Sequence, residues 1–136
     1  MIRPIMRDPL FLSKKSVPAA KDDIHILDDL LDTLRANQDR CVGMAANMIG
    51  VSKRIIAVMN GPFPMGMINP VIIDRQGPYP TEEGCLSLDG VRQTIRYENI
   101  VVTFQDRQMN MQKMHFSGWT AQIIQHEMDH LEGILI

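Results

Sequence analysis

A stretch of regularly spaced apolar residues begins near Lys21 and ends near Gln38. Its isoleucines and leucines recur every three or four positions, which is the period of one helix face. These residues are Ile24, Leu27, Leu30, Leu31 and Leu34. Asp22 or Asp23 stands just before the pattern and can accept a hydrogen bond from the free N–H groups of a first helical turn. The spacing therefore predicts an amphipathic helix from Lys21 to about Gln38.

Four shorter segments are rich in apolar and β-branched residues and have turn residues on either side, as strands do. They are Arg54 to Met59, Met67 to Ile73, Ile100 to Gln105 and Met111 to Phe116. We expect Pro62 and Pro64 to break the chain between the first two strands. Gly77, Pro78 and Pro80 predict a loop before the acidic residues that follow them.

A second helical segment lies near the C-terminal end of the sequence. Ser117 is a suitable N-cap, and the pattern runs to about Leu131 before Gly133 stops it. The first twenty residues contain three prolines and no regular period, so we expect them to be irregular. Because the strands lie mostly between two helices, the order of elements predicts an α+β fold in a single domain over residues 1–136.

The composition is that of a small globular protein, with 136 residues, 45% of them hydrophobic and 22% charged. The formal net charge is -2 and no basic block is present, so we expect no direct contact with nucleic acid. No apolar run approaches the ~20 residues that span a bilayer, and we expect no membrane contact. Two cysteines, Cys41 and Cys85, are too few for a disulfide framework, which favours a reducing cytoplasm.

The strongest chemical signal is the segment His126-Glu127-Met128-Asp129-His130. Histidines four positions apart lie one above the other on a helix face, so both imidazoles can reach one metal ion. The glutamate between them can then address a water molecule at that ion. The spacing therefore predicts half of a catalytic metal site on the last helix.

A catalytic metal usually has three protein ligands and one open position, so a third ligand is required. Only six residues follow His130, and Glu132 is two positions away, which directs it off the ligand face. We therefore expect the third ligand to come from upstream. Cys85 is the best candidate because it follows a proline-rich segment and lies outside any apolar period. His25, in an amphipathic helix, and His115, in a strand, are the alternatives.

A thiolate with two imidazoles suits Zn²⁺, Fe²⁺, Co²⁺ or Ni²⁺ and disfavours Mg²⁺ or Ca²⁺. One thiolate and two neutral rings leave a divalent ion with residual positive charge, which lowers the pKa of a bound water. Glu127 would accept the proton of that water and later return it to a leaving amine. The residues therefore predict a metal-dependent hydrolase.

Residues 83–87 read EGCLS, and residues 125–131 read QHEMDHL. These segments match the EGCLS and QHExDHL motifs of peptide deformylases, a family that the chain resembles over most of its length. Residues 68–70 match a common INP segment, and residues 43–46 match the core of its G-x-G-[apolar]-A-A-x-Q motif. The order and separation of the two complete motifs make this resemblance specific.

The resemblance implies an enzyme that removes the N-formyl group from formyl-methionine at the N-terminus of nascent polypeptides. It also implies a cytoplasmic location and small, mostly antiparallel sheets around the helix that carries HExxH. Formylated nascent peptides are the expected partners, with the ribosome as a candidate place of encounter. Fe²⁺ is the expected ion in the cell, and Zn²⁺ or Ni²⁺ are compatible with the same ligands.

The oxyanion that forms during hydrolysis requires positioned hydrogen-bond donors. By resemblance, the backbone N–H of Leu86 is one donor. The family's second donor is the glutamine side chain that closes the G-x-G motif, and Met48 occupies that position here. A thioether cannot donate a hydrogen bond, and the loss of one such donor typically reduces the rate by about 10²–10³-fold.

Two further positions depart from the family pattern. Cys41 replaces the first glycine of the G-x-G motif, and it could pack as a small apolar residue or restrict the backbone beside the substrate. Gln122 replaces a typically apolar residue of the methionine pocket, where it could line a more polar pocket or supply the missing donor. The complete set of residues that we expect to bind substrate is Val42, Gly43, Met48, Gly84, Trp119, Gln122 and Ile123.

Four polar residues near the motifs have expected supporting roles. We expect a buried ion pair between Glu83 and Arg96, a ligand-orienting role for the Asp129 carboxylate, and a hydrogen bond from Gln125 near the metal loop. Two alternatives to an active deformylase stay open at this point. One is a deformylase-like protein with little or no activity, and the other is a hydrolase of a different small formyl or acyl amide.

Overall fold

The computed structural model of the chain describes residues 1–85 and 87–136, and it has one antiparallel sheet of five strands in that part of the chain. The strands are adjacent in chain order: β1 (Gly43–Ala45), β2 (Ile55–Asn60), β3 (Phe63–Cys85), β4 (Leu88–Gln105) and β5 (Met111–Ser117). The prediction of an α+β fold is confirmed. Where small sheets were expected, the described strands join into a single one.

Three α-helices accompany the sheet in the described part of the chain: α1 (Pro9–Leu12), α2 (Ile24–Ala36) and α3 (Gly118–Leu131). Two short 3-10 helices cover Lys21–Asp23 and Ala46–Ile49. The helix predicted from Lys21 thus begins as a 3-10 turn, and the N-terminal region that was expected to be irregular contains α1. The last helix follows Ser117 as predicted, although the Ser117 side chain forms no capping hydrogen bond. No helix among the described residues is long and apolar enough to cross a membrane.

The two longest strands form an extended hairpin that the sequence did not predict. Pro78 and Pro80 lie inside β3, opposite Tyr97 and Ile95 of β4, so the predicted loop at this point is wrong. Beyond Ile68, β3 pairs with β4 alone and its outer side is an edge. Prolines two residues apart have their nitrogens on the same side of a strand, and an edge needs no N–H donors there. The hairpin can therefore continue through both prolines to Cys85.

The break predicted at Pro62 and Pro64 is also shorter than expected. Pro64 lies in β3 and pairs with Met59, and only a tight turn separates β2 from β3. Proline is tolerated near the start of a strand, where its missing N–H removes no ladder hydrogen bond.

Strand β2 is buried on both faces, because a helix covers each side of the sheet. Ile55 and Ala57 belong to one core cluster with the leucines of α2. Ile56 and Val58 belong to a second cluster with the apolar residues of α3. A strand covered on both sides is continuously apolar instead of alternating, as this one is. This layering fixes α3 against β1 and β2.

Asn69 shapes β3 at an irregularity in its pairing with β4. Its backbone is left-handed, with φ of 51°, a conformation that asparagine adopts more readily than most residues. Its side chain accepts a hydrogen bond from Ala19 N at 2.8 Å and donates to Ala19 O at 2.9 Å and Gln105 Oε1 at 2.8 Å. Asn69 therefore connects the N-terminal segment to both long strands.

We expect Asn69→Ala to lower the free energy of unfolding by about 2–4 kcal/mol, since three hydrogen bonds are lost and alanine disfavours a positive φ. Urea denaturation monitored by circular dichroism measures this change. Asn99→Ala is the control, because the one side-chain hydrogen bond of Asn99 among the described residues is to exposed His115. Equal stabilities of the two variants would contradict the structural role of Asn69.

Candidate metal centre

Three potential ligand atoms from two elements converge at one point. The Nε2 atoms of His126 and His130 lie 3.1 Å apart, and Cys85 Sγ lies 3.3 Å from His130 Nε2. One ligand atom of each residue lies within 4.8 Å of the other two. Among the described residues, no other group of histidine, cysteine and acidic side chains has this arrangement.

The fold explains why these residues meet. His126 and His130 are one turn apart on α3, and this spacing directs both rings to the same side of the helix. Cys85 is the last residue of β3, next to a shift in the pairing with β4. The hairpin thus carries its tip to the helix and brings the thiol to the two rings.

The separations suit a tetrahedral metal ion, because ligands at bond lengths of about 2.0–2.3 Å lie about 3.3–3.5 Å apart. Burial lowers the pKa of His130 to about 3, so this ring is neutral, as a metal ligand must be. Burial also acts to lower the pKa of His126, but Glu127, Cys85 and Glu83 outweigh it and raise this pKa to about 10. The cluster therefore favours a positive charge at its centre.

Glu83 orients His126 by accepting a hydrogen bond from its Nδ1 at 2.7 Å. Because Nδ1 donates to Glu83, a metal-bound His126 would use Nε2, the nitrogen that faces the other two ligand atoms. Burial alone would raise the pKa of Glu83, but the hydrogen bonds from His126, Arg96 and Gln122 lower it to about 2. The orienting carboxylate is thus held as an anion.

The predicted ion pair between Glu83 and Arg96 is present and buried, with Arg96 Nη2 at 2.7 Å from Glu83 Oε1. The same guanidinium contacts Asp129 Oδ2 at 2.6 Å. The expectation that Asp129 orients a histidine is therefore wrong, since Glu83 performs this role and Asp129 pairs with Arg96.

Gln125 also differs from its expected role near the metal loop. Its side chain accepts from Tyr97 N and donates to Tyr97 O, both at 2.8 Å. A second donor contact reaches Ala121 O at 3.0 Å. Gln125 therefore fastens α3 to the backbone of β4.

Glu127 lies beside the three ligand residues and is buried, with 4% of its surface exposed. Its Oε1 atom has no hydrogen-bond partner among the described residues. Burial raises the pKa of Glu127 to about 7, against the opposing effect of His126. A carboxyl group with a pKa near neutrality can both accept and return a proton, which is what general acid–base catalysis requires.

Gly43 allows β1 to approach this carboxylate closely. A Cβ atom at Gly43 would lie 2.6 Å from Ile123 Cγ2 and 2.9 Å from Glu127 Oε2. The close approach predicted for this small, apolar segment is thus present. Only glycine lets β1 pack against α3 at this point.

We expect Gly43→Ala to displace Glu127 and to destabilise the fold by about 1–3 kcal/mol, the usual effect of overpacking. Thermal unfolding and an activity assay of the same preparation would measure both effects. Gly84→Ala is a matched control for stability, because among the described residues its Cβ would meet only Gly90 O, at 3.6 Å. An alanine at residue 43 that leaves both properties unchanged would contradict the close packing.

A cavity of about 630 Å³ opens next to the ligand atoms. All seven residues predicted to bind substrate line it: Val42, Gly43, Met48, Gly84, Trp119, Gln122 and Ile123. Ile123 is buried, whereas Trp119 is 62% exposed and stands at the entrance. Leu86, the predicted backbone donor, lies outside the described residues.

The sequence did not identify several polar residues that also line the cavity. These are Arg7, Gln38, Asp39, Arg40, Glu82 and Asp89. They come from the N-terminal segment, the turn between α2 and β1, and the tip of the long hairpin. No short motif links these segments, so only their folded positions reveal them.

Met48 and Cys41 fill their positions as apolar residues. Met48 is buried, and its Sδ accepts a hydrogen bond from Ala45 N at 3.4 Å. The Cys41 thiol donates to Gly43 O at 2.8 Å, and burial raises its pKa to about 12. Cys41 is therefore a neutral packing residue, and Met48 offers no donor to the cavity.

Gln122 does not direct its amide to the ligand atoms, as a replacement donor would. Its nitrogen donates to Glu83 Oε2 at 2.9 Å. The alternative ligands are also distant from the centre: His25 Nδ1 contacts Asp22 O at 2.9 Å, and His115 Nε2 contacts Asn99 Oδ1 at 3.1 Å. Both histidines are exposed side chains of other elements.

This combination of a thiol, two imidazoles and an adjacent buried glutamate has the features of a mononuclear metallohydrolase. The family model for polypeptide deformylase matches residues 2–136. A peptide deformylase of Clostridium beijerinckii is 60% identical over 136 residues and covers 100% of both chains. One of Desulfitobacterium hafniense is 41% identical, covering 91% of this chain and 84% of the relative.

Solved structures agree with these sequence matches. The class I type b peptide deformylase of Acinetobacter baumannii, crystallised with Met-Ala-Ser bound, is 29% identical with a TM-score of 0.88. The alignment covers 99% of this chain and 97% of the other. The peptide deformylase of Thermotoga maritima has the same TM-score at 28% identity, covering 99% and 95%. The chain belongs to the polypeptide deformylase family, whose members are metal-dependent hydrolases.

Proposed function

We propose that Cys85, His126 and His130 bind one divalent metal ion and that Glu127 transfers the protons of the hydrolytic reaction. The convergence of one sulfur and two Nε2 atoms beside a cavity is the observation that supports this proposal. The hydrogen bond from His126 to Glu83 also orients this ring, as a carboxylate commonly does for a histidine that binds a metal.

The chain removes the N-formyl group from formyl-methionine at the N-terminus of nascent polypeptides. Family membership and 60% identity to a curated peptide deformylase along the whole chain support this reaction. A weakly active homologue and a hydrolase of another small amide are not favoured, because the similarity extends over both complete chains.

In the proposed reaction, the groups at the site have separate roles. A bound divalent ion would act as a Lewis acid and make water a stronger acid. Glu127 takes the proton and returns it to the amine that leaves. The cavity that Gly43 and Ile123 help to line receives the methionine side chain and holds the formyl group beside Glu127. The backbone N–H of Leu86 would stabilise the developing negative charge.

We propose Fe²⁺ as the ion in the cell on the basis of the resemblance to peptide deformylases, and a thiolate with two imidazoles also suits Zn²⁺ and Ni²⁺. We also propose a cytoplasmic location and an encounter with formylated chains at the ribosome, where these chains are made. This encounter requires a peptide whose N-terminus is free to enter the cavity.

Protein loaded anaerobically with Fe²⁺ should bind one metal ion per chain and deformylate formyl-Met-Ala-Ser, and a chelator should abolish both properties. The double variant Cys85→Ala, His130→Ala should lose the metal, as measured by elemental analysis. Cys41→Ala is the matched control, because it removes the other thiol at the cavity and should retain the metal. A wild-type protein without bound metal, or full activity after removal of the metal, would refute the proposal.

A further inference from the structure

Gln122 lies between the cavity and the residue that orients His126. Its Nε2 atom donates to Glu83 Oε2 at 2.9 Å, and its Oε1 atom accepts from the Tyr79 hydroxyl at 3.2 Å. The carboxylate of Glu83 can only accept, so the amide must present its nitrogen to it. Both ends of the amide are thus occupied, and the side chain has one defined orientation.

Glu83 receives hydrogen bonds on both oxygens. Oε1 accepts from His126 Nδ1 and from Arg96 Nη2, each at 2.7 Å. Oε2 accepts from Arg96 Nε at 3.0 Å and from Gln122 at 2.9 Å. Gln122 is the neutral partner of a buried carboxylate whose other contacts are a guanidinium and a metal-site histidine.

The positions of these residues in the fold explain how the contacts form together. Gln122 and His126 are one turn apart on α3, on the same face of the helix. Glu83 reaches across from β3, so that one oxygen meets the histidine and the other meets the glutamine. A rotation of the carboxylate would weaken the contact to His126, and Gln122 opposes this rotation.

We propose that Gln122 is a positioning residue for the metal centre, which holds Glu83 in the orientation that His126 requires. This inference rests on the proposed function, because it assumes that His126 is a metal ligand. It assigns Gln122 a role beyond lining the methionine pocket. It also makes Tyr79 a remote contributor, because its hydroxyl fixes the oxygen end of the same amide.

Two substitutions of Gln122 separate positioning from pocket lining. Gln122→Met keeps an unbranched side chain of similar length in the cavity wall but removes both hydrogen bonds. Gln122→Glu keeps the shape and places a second carboxylate against Glu83. We expect the methionine variant to bind Zn²⁺ or Co²⁺ roughly tenfold more weakly, the lower end of the range for loss of an outer-shell partner. The glutamate variant should bind still more weakly, because like charges repel.

The readouts are metal dissociation constants from chelator competition, the visible absorption spectrum of bound Co²⁺, and separate kcat and KM values for formyl-Met-Ala-Ser. A positioning role predicts weaker metal binding, an altered Co²⁺ spectrum and a lower kcat at similar KM. Gln125→Met is the matched control, because this buried glutamine of α3 contacts the Tyr97 backbone and not Glu83. It should lower the melting temperature without weakening metal binding.

Tyr79→Phe provides an independent test through the other end of the amide. It should weaken metal binding slightly in the wild-type background and have no effect in Gln122→Met, since the two residues act through one chain of contacts. Unchanged metal affinity in both Gln122 variants, with a change in KM alone, would overturn the inference and leave the proposed function intact. A wild-type protein that binds no metal would instead overturn the proposed function and this inference with it.

Discussion

Glu127→Gln should reduce kcat for formyl-Met-Ala-Ser by about 10²–10⁴-fold, the usual contribution of a positioned general acid–base. The amide has the shape of the carboxylate but cannot accept the proton and return it to the leaving amine. Glu127 contacts none of the three ligand residues by a hydrogen bond in the described structure, so the variant should retain its metal ion. Steady-state kinetics and elemental analysis of the same sample measure both properties.

Glu132→Gln is the matched control for this substitution. Glu132 follows α3 and pairs with Arg54 and Lys15 at the surface, away from the cavity lining. It should keep the wild-type kcat, since exposed ion pairs contribute little and touch no reacting group. A Glu127→Gln enzyme with normal kcat would show that another group transfers the proton.

The parts of the fold that the sequence predicted are those in which local spacing carries the information. The apolar period of α2 and the two histidines of α3 each need only one helix turn to be recognised. The continuous apolar run of β2 marked a strand, and the structure shows why it does not alternate, with α2 on one face and α3 on the other.

The long hairpin was missed because proline is common in loops and is also compatible with an edge strand. Pro78 and Pro80 end a strand in most settings, but here they occupy a part of β3 with a single neighbour. Edge and centre are properties of the assembled sheet, and the residues around each proline do not specify them.

The orienting contacts at the site depend on long-range pairing in the same way. Asp129 was expected to orient a histidine because it lies between two of them in the sequence. The residue that does so, Glu83, is 43 positions from His126. Asp129 instead forms an ion pair with Arg96 of β4. The ligand spacing could be predicted from one helix, whereas the choice of carboxylate required the position of the hairpin.

The cavity shows the same division between local and distant information. The small residues of β1 indicated a close backbone approach, and Gly43 has it. Arg7 and Asp89 line the same cavity from opposite parts of the chain, and neither belongs to a motif. The single-domain organisation and the roles of the site residues stay predictions until experiments test them.

Met48→Gln should raise kcat for formyl-Met-Ala-Ser by up to roughly 10²–10³-fold. This is the factor that one oxyanion donor typically contributes. Methionine and glutamine are unbranched and similar in length, and Met48 lines the cavity. The Met48 sulfur already contacts Ala45 N at 3.4 Å, so a glutamine oxygen there can accept from the same N–H. Its nitrogen would then supply the donor that the thioether lacks.

The same substitution should lower stability while it raises activity. Residue 48 is 1% exposed, and a buried amide nitrogen without a partner in the free enzyme reduces the free energy of unfolding by about 1–3 kcal/mol. Met48→Leu is the control, because it is apolar and cannot donate, and it should not raise kcat. If the glutamine variant keeps its metal ion and shows no increase, the negative charge in this enzyme does not depend on a donor at residue 48.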